Sequence, residues 1–132
     1  MENDQFTLDE ANGLVPWLEE TFQRLELGRQ EYVSLQERLK NLLQESTGDA
    51  PSNDVEEITE TKASVARLAR QIEDGVEEIL DRGIIVRTVD TGLVDFPSQR
   101  EGREVYLCWI RGEERIDFWH ETDHGFAHRQ PL

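Results

Sequence analysis

Three histidines fall within nine residues: His120, His124 and His128. Steps of four stack side chains on one helical face, and imidazole suits zinc, nickel or copper. Glu121 and Asp123 add oxygen ligands. Gly125 interrupts such a helix and Pro131 closes the region, so the commoner outcome is a strand-end His120 with two exposed tail histidines. A divalent metal on His120, His124 and His128 is the minor alternative. The carboxylates Asp95, Glu104, Glu114 and Asp117 form a second set, able to bind metal or to share acid and base roles. In a chain with 29 acids such neighbours are expected from composition. Arg87, Arg103, Arg111 and Arg115 are available to them as cross-strand partners. Cys108 is the third candidate. A nucleophilic cysteine needs a depressed pKa and a nearby base, and His120 qualifies if the strands around 103–110 and 115–120 pair. Its place between Leu107 and Trp109 points instead to a buried, inert thiol.

The elements that position these groups follow from periodicity. Phe6-Thr7-Leu8-Asp9-Glu10 reads as a capping box, with Phe6 placed to begin a hydrophobic staple. A short helix over about 8–14 is expected. Val15 is pushed from helical dihedrals by Pro16, and Pro16 opens a long helix to about Glu45. Its apolar stripe is Leu18, Phe22, Leu25, Tyr32, Leu35, Leu39 and Leu42, weakened by Arg29 and Gln36. Residues 46–53, STGDAPSN, read as a loop. A second long helix starts near residues 52–54 and ends before Gly83. Its heptad seam is Val55, Ile58, Val65, Ala69, Ile72, Val76 and Ile79, with Lys62 in the missing place. A short loop between two such helices predicts an antiparallel hairpin. Leu27, Val33, Leu43, Leu68 and Leu80 lie beside the stripes and widen them, which favours self-association.

From Ile84 the period changes to alternation. Strands are expected over Ile84–Val89, Leu93–Phe96, Arg103–Ile110 and Arg115–His120, with turns at 97–102 and 111–114. The tail has no clear period. The charge changes at the same join: residues 1–82 carry 20 acids and 8 bases, residues 83–132 carry 9 and 6.

Composition narrows the function. The 132 residues carry a formal net charge of −15, which disfavours nucleic acid and anionic membrane surfaces. One cysteine forms no internal disulfide, and MENDQF lacks the features of a secretory signal. The expected location is the cytoplasm. There is no Gly-rich phosphate loop, G-x-S-x-G or C-x-x-C.

The segments G-L-V-D-F-P (92–97), V-Y-L-C-W (105–109) and F-W-H…G-F…R-x-P (118–131), with the opening FTLDEANGLVP (6–16), resemble an uncharacterised bacterial family, domain of unknown function 2203. The resemblance spans nearly the whole chain. Its motifs are a family signature and not a known catalytic one, so it implies no activity. Some members carry labels relating them to coiled-coil or cell-division initiation proteins, which echo the helical half. The family pattern has a position matching His120 and none matching His124 or His128. That implies a candidate binding site of Asp95, Glu104, Trp119, His120 and Arg129.

The expectation is a single α+β domain over 1–132: a long antiparallel helical hairpin (1–82), then a small antiparallel sheet packed on it, with a tail (83–132). The expected function is a non-enzymatic structural or interaction protein, a homodimer or bound to a helical partner, without nucleic acid or membrane. The alternative is a small-molecule or metal-binding domain, or an enzyme, with its site around His120.

Overall fold

The computed structural model describes residues 5–45 and 52–132. It is an α+β arrangement. The helices α1 (Leu8–Gly13), α2 (Val15–Glu45) and α3 (Ser52–Asp81) come first. The strands β1 (Ile85–Thr88), β2 (Leu93–Arg100), β3 (Arg103–Ile110), β4 (Phe118–Glu121) and β5 (Gln130–Pro131) follow, with a 3₁₀ turn at Phe126–His128 before β5. The two long helices pack together. The strands form one antiparallel meander in the order β1-β2-β3-β4-β5. The expected loop lies mostly on 46–51, outside the described residues.

The chain divides into two compact units, residues 1–23 with 76–132, and residues 24–75. In the first, the capping box forms as expected: the Glu10 amide donates to Thr7 Oγ1 and the Thr7 amide to Glu10 Oε1. The Phe6 ring meets Phe96 edge-on at 5.2 Å and its amide donates to the Pro97 carbonyl. The break between α1 and α2 falls on Leu14, and Val15 is helical, against expectation. A proline in the first turn removes an amide that had no intrahelical partner, so α2 begins ahead of it at no cost. Gly83 (φ +87) ends α3 in the left-handed region, as expected.

Three strand expectations need correction. β2 runs through Pro97 to Arg100, where a turn was expected. The Pro97 carbonyl faces the free edge and accepts from Phe6, so its missing N–H faces that edge too, away from β3. The turn is the two-residue Glu101-Gly102, both at positive φ, as a tight hairpin demands. β4 starts at Phe118, not Arg115. The chain before it is held by other bonds: the Ile116 amide donates to Asn12 Oδ1 at 2.7 Å, and the Trp109 indole to the Glu113 carbonyl at 2.9 Å. The tail forms β5, with Trp119 opposite Gln130 and Phe118 opposite Pro131.

Strand alternation gives the sheet two sides. The inner side holds Val94, Phe96, Ser98, Val105, Leu107, Trp109 and Trp119, all buried. Trp109 stacks on Phe22 of α2 with centroids 6.4 Å apart. Tyr106, Cys108, Phe118 and His120 stand on the outer side with Asp95.

Residues 24–75 pair the rest of α2 and α3 around a heptad seam. On α2 it is Leu25, Gly28, Tyr32, Leu35, Leu39 and Leu42, all buried or half-buried. On α3 it is Ile58, Thr61, Val65, Leu68, Ile72 and Gly75. The expected α3 seam shares Ile58, Val65 and Ile72 but has Lys62, Ala69 and Val76 in the alternate places, where the structure has Thr61, Leu68 and Gly75. Two glycines decide the register. A Cβ on Gly75 would lie 2.6 Å from Leu25 Cδ2, and one on Gly28 would lie 3.7 Å from Ile72 Cγ1. Each helix thus receives an aliphatic knob of the other over a glycine, and Leu68 rather than Ala69 fills the space between.

Candidate functional site

The outer side of the sheet buries a polar cluster. Asp95 and Cys108 face each other across β2 and β3, and His120 of β4 pairs with Tyr106. His120 Nε2 lies 3.0 Å from Asp95 Oδ1, and Nδ1 lies 2.8 Å from the Glu121 carbonyl. Both oxygens are acceptors, a carbonyl and a carboxylate. The Nδ1 proton therefore goes to Glu121, and a second proton sits between Nε2 and Asp95. Arg87 Nε donates to Asp95 Oδ2 at 2.8 Å. This bond and the Asp95 charge hold the Arg87 pKa above its usual value. The Arg87 guanidinium also lies 5.2 Å over the Tyr106 ring.

The tail closes over this side. Arg129 donates to Glu113 Oε2 at 2.9 Å and lies between the Phe118 and Phe126 rings, 4.2 and 4.1 Å from their centroids. A cavity of about 380 Å³ opens between tail and sheet, lined among others by Arg87, Asp95, Cys108, His124 and Phe126.

Of the expected site residues, the structure brings Asp95 and His120 into contact and places Arg129 near Cys108. Glu104 is exposed, opposite Gln99 at the far end of the β2–β3 pair. Trp119 is buried on the inner side, under the Arg100 guanidinium. His124 and His128 stack on each other with centroids 4.7 Å apart. His120 instead joins Asp95 and Cys108, the one group of three metal-ligating side chains among the described residues. Glu114 and Asp117 are exposed, Asp117 paired with Arg115. Sequence reasoning gave Arg87 only a pairing role and set Cys108 aside. The signal for Cys108 was alternation: once β2 pairs with β3 and β3 with β4, Asp95, Cys108, Tyr106 and His120 share one side.

A sequence profile described as "Uncharacterized conserved protein (DUF2203)" matches residues 5–132. The chain belongs to this family. No curated protein and no solved structure matches it. The family description attaches no activity to the outer-side cluster, so its chemistry rests on geometry alone. Among the described residues no helix is long and apolar enough to cross a membrane.

Cys108 is fully buried. Burial first, and then the Asp95 charge, push its thiol up to about 12, with Arg129 pulling the other way. The folded chain keeps this proton where the unfolded chain loses it, near 9. The stabilisation is whole below pH 9 and is lost as pH rises from there towards 12. Two outcomes are expected. In native buffer at pH 8 a disulfide reagent leaves Cys108 unmodified, and denaturant releases its full reaction. Above pH 9 the unfolding free energy falls more steeply for the native chain than for Cys108→Ser. Parallel curves would contradict this placement of the thiol.

Proposed function

We propose that this protein is a non-enzymatic interaction protein that self-associates through one side of its helical hairpin. The carrying observation is the asymmetry of the seam's flanks in residues 24–75. One flank carries Arg24, Glu31, Arg38 and Glu45 from α2 and Glu57, Ser64 and Gln71 from α3, and Arg38 pairs with Glu57 across it. The other carries Arg29, Gln36, Leu43, Val55, Lys62 and Ala69, with Val33 alongside. Val33, Leu43 and Val55 are 54%, 47% and 60% exposed, and a groove of Gln36, Leu39, Lys40 and Leu43 runs beside them. A water-facing flank has no use for three large aliphatics beyond those of the seam.

Charge supports a second copy as the occupant. On this flank Glu26 and Glu73, with Arg29 beside them, mark the end at Leu25 and Gly75. Lys40 and Lys62 lie further along. A copy docked antiparallel by two-fold symmetry sets the lysines of each over the glutamates of the other. A non-enzymatic reading also fits the buried cluster. His120 is 1% exposed with both nitrogens bonded, and the Cys108 thiol stays neutral, so neither serves as base or nucleophile.

Sedimentation velocity from low micromolar to near-millimolar concentration tests this. The expected result is a monomer–dimer equilibrium. The Val33→Glu/Leu43→Glu double variant should be monomeric throughout, with unchanged helical circular dichroism. A native chain that stays monomeric, or a dimer indifferent to both charges, would overturn it. The second reading, a ligand site on the sheet's outer side, is supported by the cavity beside Asp95 and Cys108.

A further inference from the structure

The geometry points to a divalent-metal site of the zinc type built from His120 Nε2, Asp95 Oδ1 and Cys108 Sγ. It develops the second reading above and is independent of self-association. The ligand atoms of these three buried residues lie within 4.8 Å of one another. Imidazole, carboxylate and thiolate are the donor types that zinc takes in proteins.

Two of the three ligands are held from behind in the way metal ligands are. His120 gives its Nδ1 proton to the Glu121 carbonyl at 2.8 Å, which turns Nε2 inward. That outer bond to a backbone carbonyl is the one metal-binding histidines make to fix tautomer and ring orientation. Arg87 holds Asp95 Oδ2 at 2.8 Å and leaves Oδ1 facing Nε2. Cys108 comes in from the opposing strand, directly across from Asp95.

The adjustment needed is small. Tetrahedral zinc with bonds of about 2.0–2.1 Å to nitrogen and oxygen sets those atoms about 3.3 Å apart. They now stand 3.0 Å apart, bridged by a proton. With a zinc–sulfur bond of about 2.3 Å, sulfur sits about 3.6 Å from each of them. That distance is inside the present 4.8 Å limit. The exchange also balances in charge. Zn²⁺ enters and two protons leave, one from the His120–Asp95 pair and one from the Cys108 thiol. The buried cluster keeps its net charge, and no oxidant or reductant is involved. Asp95 and Cys108 also line the cavity, which offers room for water or a small molecule as a fourth ligand.

Untagged full-length chain, stripped with chelator, is titrated with Co²⁺ and then Zn²⁺. The expected result is one metal per chain and a thiolate-to-cobalt charge-transfer band that zinc abolishes. Calorimetry in buffers of different ionisation enthalpy should give two protons released per zinc. Cys108→Ser keeps a donor towards Asp95 and so tests the site with little risk to the fold. It should lose the band, release one proton fewer and bind more weakly by over about 100-fold, a larger loss than that for an outer-shell partner. His120→Gln should weaken binding to a similar degree. His124→Ala/His128→Ala should leave binding unchanged. The proposal is overturned if the native chain binds neither metal. It is equally overturned if Cys108→Ser binds as the native chain does, or if the tail double variant abolishes binding.

Discussion

Asp95→Ala should cost the metal-free chain about 3 kcal/mol of unfolding free energy, the low end of the range for breaking a buried ion pair from one side. Asp95 is 2% exposed and receives Arg87 on one oxygen and His120 on the other. Removing it leaves both donors aimed at nothing. One relief keeps the cost from the top of the range: the Arg87 side chain is 43% exposed and can rehydrate. On His120 an unsatisfied buried nitrogen remains, worth about 1–3 kcal/mol. Urea unfolding of native and variant chains checks this. Against a total stability of about 5–15 kcal/mol for a domain of this kind, the loss is large enough to read directly. A cost below about 1 kcal/mol would mean that the cluster is solvated rather than buried, and that Arg87 does not hold Asp95 in place as a metal ligand.

The second large effect is expected at Trp109. Trp109→Ala should cost about 3–5 kcal/mol, the range for deleting a large buried aromatic. The side chain is fully buried on the inner side, stacks on Phe22 and donates its indole proton to the Glu113 carbonyl. Trp109→Phe separates the contributions. It keeps most of the apolar area and loses the indole bond, so it should cost about 1–3 kcal/mol, the penalty of an orphaned buried acceptor together with a partial void. Thermal unfolding of the three chains should rank native above Trp109→Phe above Trp109→Ala. Equal melting for the two variants would mean that the stacking on Phe22 contributes nothing measurable.

Both predictions depend on features that the sequence revealed unequally. Local patterns alone determined the two long helices, the capping box at the start of α1, the stop at Gly83 and the strand β3. These follow from local rules: a hydroxyl three residues before a glutamate, steps of three and four, alternation by two. Where two local patterns were equally good, tertiary contact decided. Two heptad sets share every second member on α3. Only the insertion of Leu25 over Gly75 selects Thr61, Leu68 and Gly75 over Lys62, Ala69 and Val76. Pro97 looked like a turn because a proline cannot donate. The partner that makes its missing proton harmless, Phe6, lies ninety-one residues away in sequence and pairs with its carbonyl on the free edge. The candidate site shows the same division. The family resemblance grouped Asp95 with His120 in one candidate site. Their contact, the bond from Arg87 and the approach of Cys108 required the register of four strands, which no local pattern encodes.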